Sequence, residues 1–185
     1  MAVSLVVTAA RERAGAARTA YHSRRRGWVQ ALALGGLAGI GMEIFSNLVS
    51  QPLITRLTGS PPDLSDFRPL VGDLRLLLLM LVPMWLLAAF GEEMVYRGYL
   101  MNRLAGLFHG TPRGWLASLI AVSAFFGWSH QSQGLTGMLQ EGFAGLLLGA
   151  LYLGCGRTLT VPIVAHGAAN TLAFVLIFLD LYPGV

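Results

Sequence analysis

Charged residues are scarce in this chain of 185 residues, where Asp, Glu, Lys and Arg together make up 12% of the sequence. A soluble globular domain usually has about 25% charged residues, so this chain has about half the charge that a surface in water requires. Hydrophobic residues make up 55%. The composition therefore excludes an ordinary soluble domain and indicates a protein whose solvent is the lipid bilayer.

The chain has one cysteine and no lysine. Cys155 is the single cysteine, which excludes an internal disulfide framework and a zinc site built from cysteines. Its sequence neighbours offer no partner for a catalytic thiol. The basic charge comes from 13 arginines against 9 acidic residues, and they form no basic face interleaved with aromatic residues. We therefore expect no nucleic-acid partner.

The sequence contains five apolar segments, and since one span needs roughly 20 apolar residues, its length leaves room for five or six membrane helices. Backbone groups in lipid must satisfy their own hydrogen bonds, which favours helices, and the segments are too long for barrel strands. The sequence therefore predicts an all-α, polytopic transmembrane helical bundle of about five spans plus a basic N-terminal segment. The predicted spans cover residues 28–49, 76–104, 114–128, 138–154 and 159–181.

The chain divides by composition into a basic segment (1–27), a first span with its loop (28–75), and a segment that holds the other four spans (76–181). Arginine asymmetry predicts the orientation, because cytoplasmic loops carry the excess of basic residues. With the N-terminus in the cytoplasm, nine arginines lie on the cytoplasmic side and three on the other side, and the C-terminus lies outside. Arg97 belongs to neither group because it falls inside a predicted span.

Ionisable residues inside the second predicted span are unexpected, since each costs at least ~2.5 kcal/mol in a bilayer. Glu93 and Arg97 stand four residues apart, so a salt bridge along one helix face can form. Glu92 is turned about 100° from Glu93. One arginine neutralises only one of the two carboxylates, and the other suits general acid or base chemistry. A helix end at the membrane interface explains the same residues equally well.

Two further polar groups lie on other spans. His130 ends the third predicted span, and His166 and Asn170 stand four apart on the fifth. Singly, these are explained as an interface histidine and as a pair that joins two helices by a hydrogen bond. Together with Glu92, they form a set that can polarise one water and stabilise an oxyanion. At 1.5 Å per residue, however, His130 lies about 10 Å deeper than the other three.

Two more acids are expected to have structural roles. Glu43 lies in the middle of the first predicted span, with Asn47 one turn later. We expect Glu43 to pair with Arg97 or another arginine inside the bundle, or to line a cavity, rather than to catalyse a reaction. Glu141 begins the fourth predicted span and is expected at the membrane interface.

Three separated motifs resemble those of the CPBP family, also called Abi proteins, which includes the type II CAAX prenyl endopeptidases. They are a Glu-Glu pair with Arg four residues after the second Glu, a Phe with His four residues later, and a His with Asn four residues later. A glycine-rich helix precedes the third motif. The matching residues are Glu92, Glu93 and Arg97, then Phe126 and His130, then His166 and Asn170, with Gly142, Gly145 and Gly149 in the glycine-rich helix. One departure is Gly167, where the family more often has Ala.

This resemblance implies an intramembrane endopeptidase that cleaves a membrane-associated or lipidated substrate with a glutamate-activated water. It makes residues 76–181 the catalytic core, the lipid bilayer and a peptide or protein substrate the partners, and the cell (plasma) membrane the location. The catalytic residues that it implies are Glu92, Glu93, His130, His166 and Asn170, with Arg97 and Phe126 as structural support.

The resemblance also implies a role for each residue of this set. Glu92 is expected to be the general base and His130 to position the water. His166 and Asn170 are expected to stabilise the oxyanion, while Glu93 with Arg97 holds the helix.

The chemistry leaves a metal-dependent mechanism open. The family is commonly labelled a metalloprotease, and His130, His166 and Glu92 could hold zinc or another divalent metal with one open position. A metal-free glutamate mechanism fits the same residues, so the sequence assigns no cofactor. Two other functions also stay open. These are a non-catalytic membrane scaffold or peptide-immunity protein of the same fold, and a small transporter that uses the glutamates as proton or ion sites.

Overall fold

The computed structural model describes residues 27–183, so nearly all of the basic segment predicted over residues 1–27 lies outside the described part. The described chain contains five long helices and no strand, which confirms the predicted all-α membrane fold. The helices are α1 (Gly27–Thr58), α2 (Leu74–Leu107), α3 (Pro112–Ser129), α4 (Gly134–Gly154) and α5 (Thr160–Phe178).

Three of these helices, α1, α2 and α5, are long and apolar enough to cross a membrane. Large apolar side chains on the surfaces of α1 and α2 are exposed, among them Leu37, Leu48 and Leu87. A continuous apolar surface of this kind is unfavourable in water and favourable against acyl chains. The exposed leucines therefore mark lipid-facing sides of the bundle.

The boundaries of two helices differ from the prediction. Helix α1 continues beyond residue 49 through the π-helical segment Ser46–Ser50 and ends at Gly59, whose φ of 85° stops the helix. Helix α4 begins at Gly134 instead of residue 138, since the polar stretch Gln131–Gln133 forms only one 3₁₀ turn. Because α4 begins seven residues before Glu141, this residue lies inside the helix and not at its start; its position at the membrane interface stays a prediction.

Helix α2 is locally widened around the first motif. Two π-helical segments, Met84–Glu92 and Met94–Leu100, flank Glu93. The first begins directly after Pro83, which has no N–H for a regular helical hydrogen bond. π-Helical turns are rare and occur frequently at functional sites, which agrees with the polar residues found here.

Glycines allow two pairs of helices to pack with their backbones in contact. A Cβ atom at Gly39 would collide with the carbonyl group of Ala165, and one at Gly127 would collide with the backbone of Gly142. Small residues permit such close packing between membrane helices. Because Ala165 directly precedes His166, the contact with α1 holds the part of α5 that carries the third motif.

Two small apolar clusters hold the ends of α2. Leu70, Leu77 and Ile177 form one near its start, and Met101 packs with Val122 and Tyr152 near its end. The first motif lies on the stretch of α2 between the two clusters, so its backbone is fixed from both sides by apolar packing.

Candidate active site

Glu93 and Arg97, one turn apart on α2, form a buried ion pair. The Nη1 atom of Arg97 donates to Oε1 of Glu93 at 2.7 Å, and the two side chains are 1% and 0% exposed. The Nη2 atom donates to the carbonyl oxygen of Gly145 at 2.9 Å, and the guanidinium lies 4.9 Å from the centre of the Phe126 ring. Arg97 therefore ties α2 to both α3 and α4, through a charge-assisted hydrogen bond and a cation–π contact.

The same carboxylate joins α2 to α5. The Nδ1 atom of His166 lies 3.0 Å from Oε1 of Glu93, and the imidazole is buried. A carboxylate bound to a guanidinium is ionised and only accepts hydrogen bonds, so Nδ1 carries a proton and donates it to this bond. The second ring nitrogen, Nε2, is then left for the cavity that His166 lines.

Glu92 faces this cavity, on another side of α2 than Glu93. Its side chain is 31% exposed, and its Oε2 atom lies 4.0 Å from Nε2 of His166. Within the described part of the chain, this oxygen has no hydrogen-bond partner. Oε2 is itself buried, but the rest of the side chain is open to the cavity, where the carboxylate can accept a hydrogen bond from water or substrate.

His130 lies directly after the last residue of α3. Its Nδ1 atom is 2.8 Å from the carbonyl oxygen of Phe126, an acceptor only, so Nδ1 donates and Nε2 is the acceptor. The Phe126 ring lies 4.8 Å from the ring of His130 and 6.1 Å from that of His166, centre to centre. The buried phenylalanine therefore packs against both imidazoles.

One cavity of about 400 Å³ brings together Glu92, His130, His166 and Asn170. Its volume lies in the range of small ligand sites, and most of its other walls are apolar. Three separate helices therefore deliver to one space the polar residues that the motifs single out. Glu93 and Arg97 are buried behind the cavity wall, where they hold His166 and the helix packing.

The depth difference expected between His130 and Glu92 is largely removed by the true length of α2. Counted from the turn between α2 and α3, Glu92 lies about 23 Å along α2 and His130 about 27 Å along α3, at ~1.5 Å per residue. These levels agree to within one helical turn. The sequence estimate was wrong for His130 because it counted Glu92 from Arg103, whereas α2 continues to Leu107.

The residues proposed for metal binding were compared with what zinc requires, which is three or four ligands at about 2.0–2.3 Å. Within residues 27–183, no three side chains of His, Cys, Asp or Glu are grouped closely enough to hold a metal ion. The arrangement does not fit a site formed by these histidines and Glu92, and we assign no catalytic step to a metal.

Glu43 also lines the cavity, as the sequence allowed, while its alternative pairing with Arg97 is not found because Glu93 binds that arginine. Its carboxylate accepts a hydrogen bond of 2.8 Å from Nδ2 of Asn47. Glu141 lines the same cavity. No pattern in the sequence indicates that Glu43 and Glu141 share one cavity, because they come from helices that are distant in the chain.

The comparisons with known proteins agree with the motifs. The family model described as type II CAAX prenyl endopeptidase Rce1-like matches residues 74–172. This range exceeds half of the chain and includes all three motifs. Comparisons with curated proteins and with solved structures gave no match. The chain therefore belongs to the Rce1-like type II CAAX prenyl endopeptidase family.

Proposed function

We propose that this protein is an intramembrane endopeptidase that hydrolyses a peptide bond of a membrane-associated or lipidated substrate with a glutamate-activated water. The difference between the two adjacent glutamates carries this proposal. Glu93 is neutralised by Arg97 and bonded to His166, whereas Glu92 binds no arginine and lines the cavity with a side chain that is 31% exposed. A general base needs this access to water, and family membership supports the peptide bond as the bond that is cut.

In the first step, a water donates one hydrogen bond to Glu92 and the other to Nε2 of His130. Because Nδ1 of His130 is held by the carbonyl group of Phe126, its Nε2 lone pair is fixed as an acceptor. Glu92 takes the proton as the water oxygen bonds to the substrate carbonyl carbon. The electron pair of the C=O double bond moves onto the carbonyl oxygen, which becomes an oxyanion.

His166 and Asn170 are proposed to stabilise this oxyanion. Donation from Nε2 of His166 requires the imidazolium form, because Nδ1 already donates to Glu93. Glu93, at 3.0 Å from Nδ1, and the Glu92 carboxylate, at 4.0 Å from Nε2 before it takes the proton, together balance the charges of this imidazolium and of Arg97. The Nδ2 group of Asn170, one turn further along α5, is the second donor. When the intermediate collapses, the C–N bond breaks and Glu92 returns its proton to the leaving amine.

The surroundings of the site support a substrate that arrives through the membrane. The three apolar helices and the family make this an integral membrane protein, and the cavity walls are mostly apolar. We propose the cell (plasma) membrane as its location, the bilayer and a peptide or protein as its partners, and the N-terminus in the cytoplasm. No nucleic-acid partner is proposed.

The proposal is tested by comparing membrane proteomes of cells that express the wild-type protein, Glu92→Gln or Asp66→Asn. Asp66→Asn is a matched control, because it also removes one carboxylate but at an exposed position in the loop before α2. We expect an uncleaved precursor to accumulate with Glu92→Gln and not with Asp66→Asn. Identical proteomes with equal expression would contradict the hydrolase and favour a non-catalytic scaffold or peptide-immunity protein.

A further inference from the structure

The cavity contains a second polar group, formed by α1 and α4, that the proposed hydrolysis does not use. We name Glu43, Gln140 and Glu141 the acidic subsite. All three line the cavity, and the side chains of Glu43 and Gln140 are only 9% and 8% exposed. Glu43 lies outside the range that the family model matches, so the subsite combines residues from inside and outside that range.

Among the described residues, no positively charged side chain pairs with the two carboxylates of the subsite. Within the described residues, the cavity lining holds three glutamates and no arginine, and the chain contains no lysine. No arginine among these residues lies within 4.0 Å of Glu43 or Glu141; Arg97 is bound by Glu93. A carboxylate removed from water is costly unless a cation pairs with it.

Two amide side chains lie next to these carboxylates. Their NH₂ groups donate to other protein atoms, and their oxygens accept no hydrogen bond from the described residues. Gln140 donates through Nε2 to Oγ of Ser46 at 2.7 Å, and Asn47 donates through Nδ2 to Glu43. The buried atoms Oε1 of Gln140 and Oδ1 of Asn47 have no hydrogen-bond partner in the described part of the chain. Buried acceptors of this kind are destabilising unless a donor reaches them.

The Tyr182 side chain also lines the cavity and lies next to Glu43. Burial raises the pKa of its phenol above the usual value, so the hydroxyl group stays neutral and adds no further negative charge. Its single O–H leaves most acceptors of the subsite unsatisfied. What the subsite still requires is a ligand with positive charge and several donors.

We propose that the acidic subsite binds a cationic side chain, arginine or lysine, of the peptide substrate. This inference rests on the proposed function, since it assumes that a peptide enters the cavity. An ammonium group offers three donors and a guanidinium five, each with a positive charge. An acidic side chain would be repelled here, and an apolar one would leave the carboxylates and amide oxygens without partners.

The test measures binding by the full-length protein with Glu92→Gln, in detergent, so that cleavage does not remove the ligand. The probes are fluorescent lipidated peptides in which one position at a time is arginine or citrulline, its uncharged counterpart of nearly equal shape. At one position we expect arginine to bind about tenfold more tightly, because its guanidinium forms charge-assisted hydrogen bonds to the carboxylates that the uncharged citrulline cannot form. Adding Glu43→Gln or Glu141→Gln should remove this preference.

Asp66→Asn in the same background is the control for loss of one exposed acid, and it should keep the preference. Unchanged binding of the citrulline peptide shows that each variant is folded, and half-buried Glu141 provides a second variant if Glu43→Gln does not fold. Equal binding of arginine and citrulline peptides at every position would overturn the subsite. So would a preference that survives both glutamate variants.

The two proposals fail in different ways. If the wild-type protein cleaves none of the peptides while the arginine preference depends on Glu43 and Glu141, the proposed hydrolysis is wrong and the subsite stands. If the peptides are cleaved without any preference for arginine, the hydrolysis stands and the subsite is wrong.

Discussion

Nδ1 of His166 donates to Oε1 of Glu93 over 3.0 Å, although the two residues are 73 positions apart in the chain. Arg97 binds the same oxygen. One buried carboxylate thus holds a guanidinium from its own helix and an imidazole from α5. Glu93 is therefore a positioning residue for His166 as well as the counter-charge of Arg97, and it has no need to touch substrate.

The two glutamates should respond differently to the same substitution. Glu92→Gln is expected to abolish peptide cleavage and to leave the melting temperature in detergent nearly unchanged, because Glu92 lies in no ion pair with an arginine. Glu93→Gln should lower stability by ~3–5 kcal/mol, since Arg97 stays buried without its counter-charge. Thermal melting and turnover of a lipidated peptide measure both effects. Equal loss of stability in the two variants would contradict these roles.

A double variant separates charge balance from positioning. Replacing Glu93 and Arg97 together by Gln removes the uncompensated charge, so part of the lost stability should return. His166 would still lack its ionised acceptor, and turnover should stay low. Recovery of turnover together with stability would show that Glu93 acts only through Arg97.

The sequence predicted the number and class of the helices, because apolar runs of this length have few alternatives in lipid. The predicted first span stops at residue 49, where the apolar run ends, whereas α1 continues through Pro52. Pro52 lies at the first turn after the π-helical segment Ser46–Ser50, where a missing N–H is tolerated. Local sequence cannot reveal that a widened turn carries the helix through this proline.

The spacing within each motif also predicted which residues share a helix face, including the pair of Glu93 and Arg97. It could not predict contacts between helices, such as His166 with Glu93 or Ser46 with Gln140. These contacts depend on how the helices pack against one another. That packing is decided by glycine contacts between helices, which local sequence patterns do not reveal.

The departure at Gly167 has a physical reason in the structure. A Cβ atom at this position would collide with the ring of Trp85 on α2, and the indole donates to Oγ1 of Thr171 at 3.1 Å. Trp85 thus fills the space beside His166 that an alanine would occupy. Only knowledge of the α2–α5 packing relates these two positions.

Asn170 and Asn102 provide a matched pair for testing oxyanion stabilisation. Asn170 lines the cavity, and Asn170→Ala should reduce kcat by roughly 10²–10³ with little change in KM, as expected for losing one donor. Asn102 instead donates to the carbonyl oxygen of Arg97 and to the Tyr152 hydroxyl. Asn102→Ala should lower the melting temperature and change kcat far less. A large rise in KM for Asn170→Ala would indicate substrate binding instead.

Metal content and activity of the purified protein together decide whether a metal takes part in the reaction. Since the donors are not grouped as a three-ligand site, we expect no stoichiometric zinc in the purified protein and no inhibition by chelators. His166→Ala should then reduce turnover without changing metal content. About one tightly held zinc per chain that is lost in His166→Ala would reverse this prediction and support ligation by His130, His166 and Glu92.

Gly39 and Gly36 lie on the same helix and differ in what a side chain would meet. A Cβ at Gly39 would collide with the backbone of Ala165, whereas a Cβ at Gly36 meets no atom within 4 Å. Gly39→Ala should push α1 away from α5 and destabilise the protein by about 1–3 kcal/mol, the usual cost of overpacking. Gly36→Ala should be neutral or stabilise by up to about 1 kcal/mol, because alanine favours helix over glycine.

The same pair tests whether α1 supports the site. Displacing Ala165 moves the neighbouring His166, so Gly39→Ala should also lower turnover at temperatures where the protein is still folded, and Gly36→Ala should not. Melting in detergent and turnover of one lipidated peptide suffice for both variants. If Gly39→Ala melts and cleaves like Gly36→Ala, then α1 does not pack against α5 at this contact, and its Glu43 cannot be assigned to the cavity.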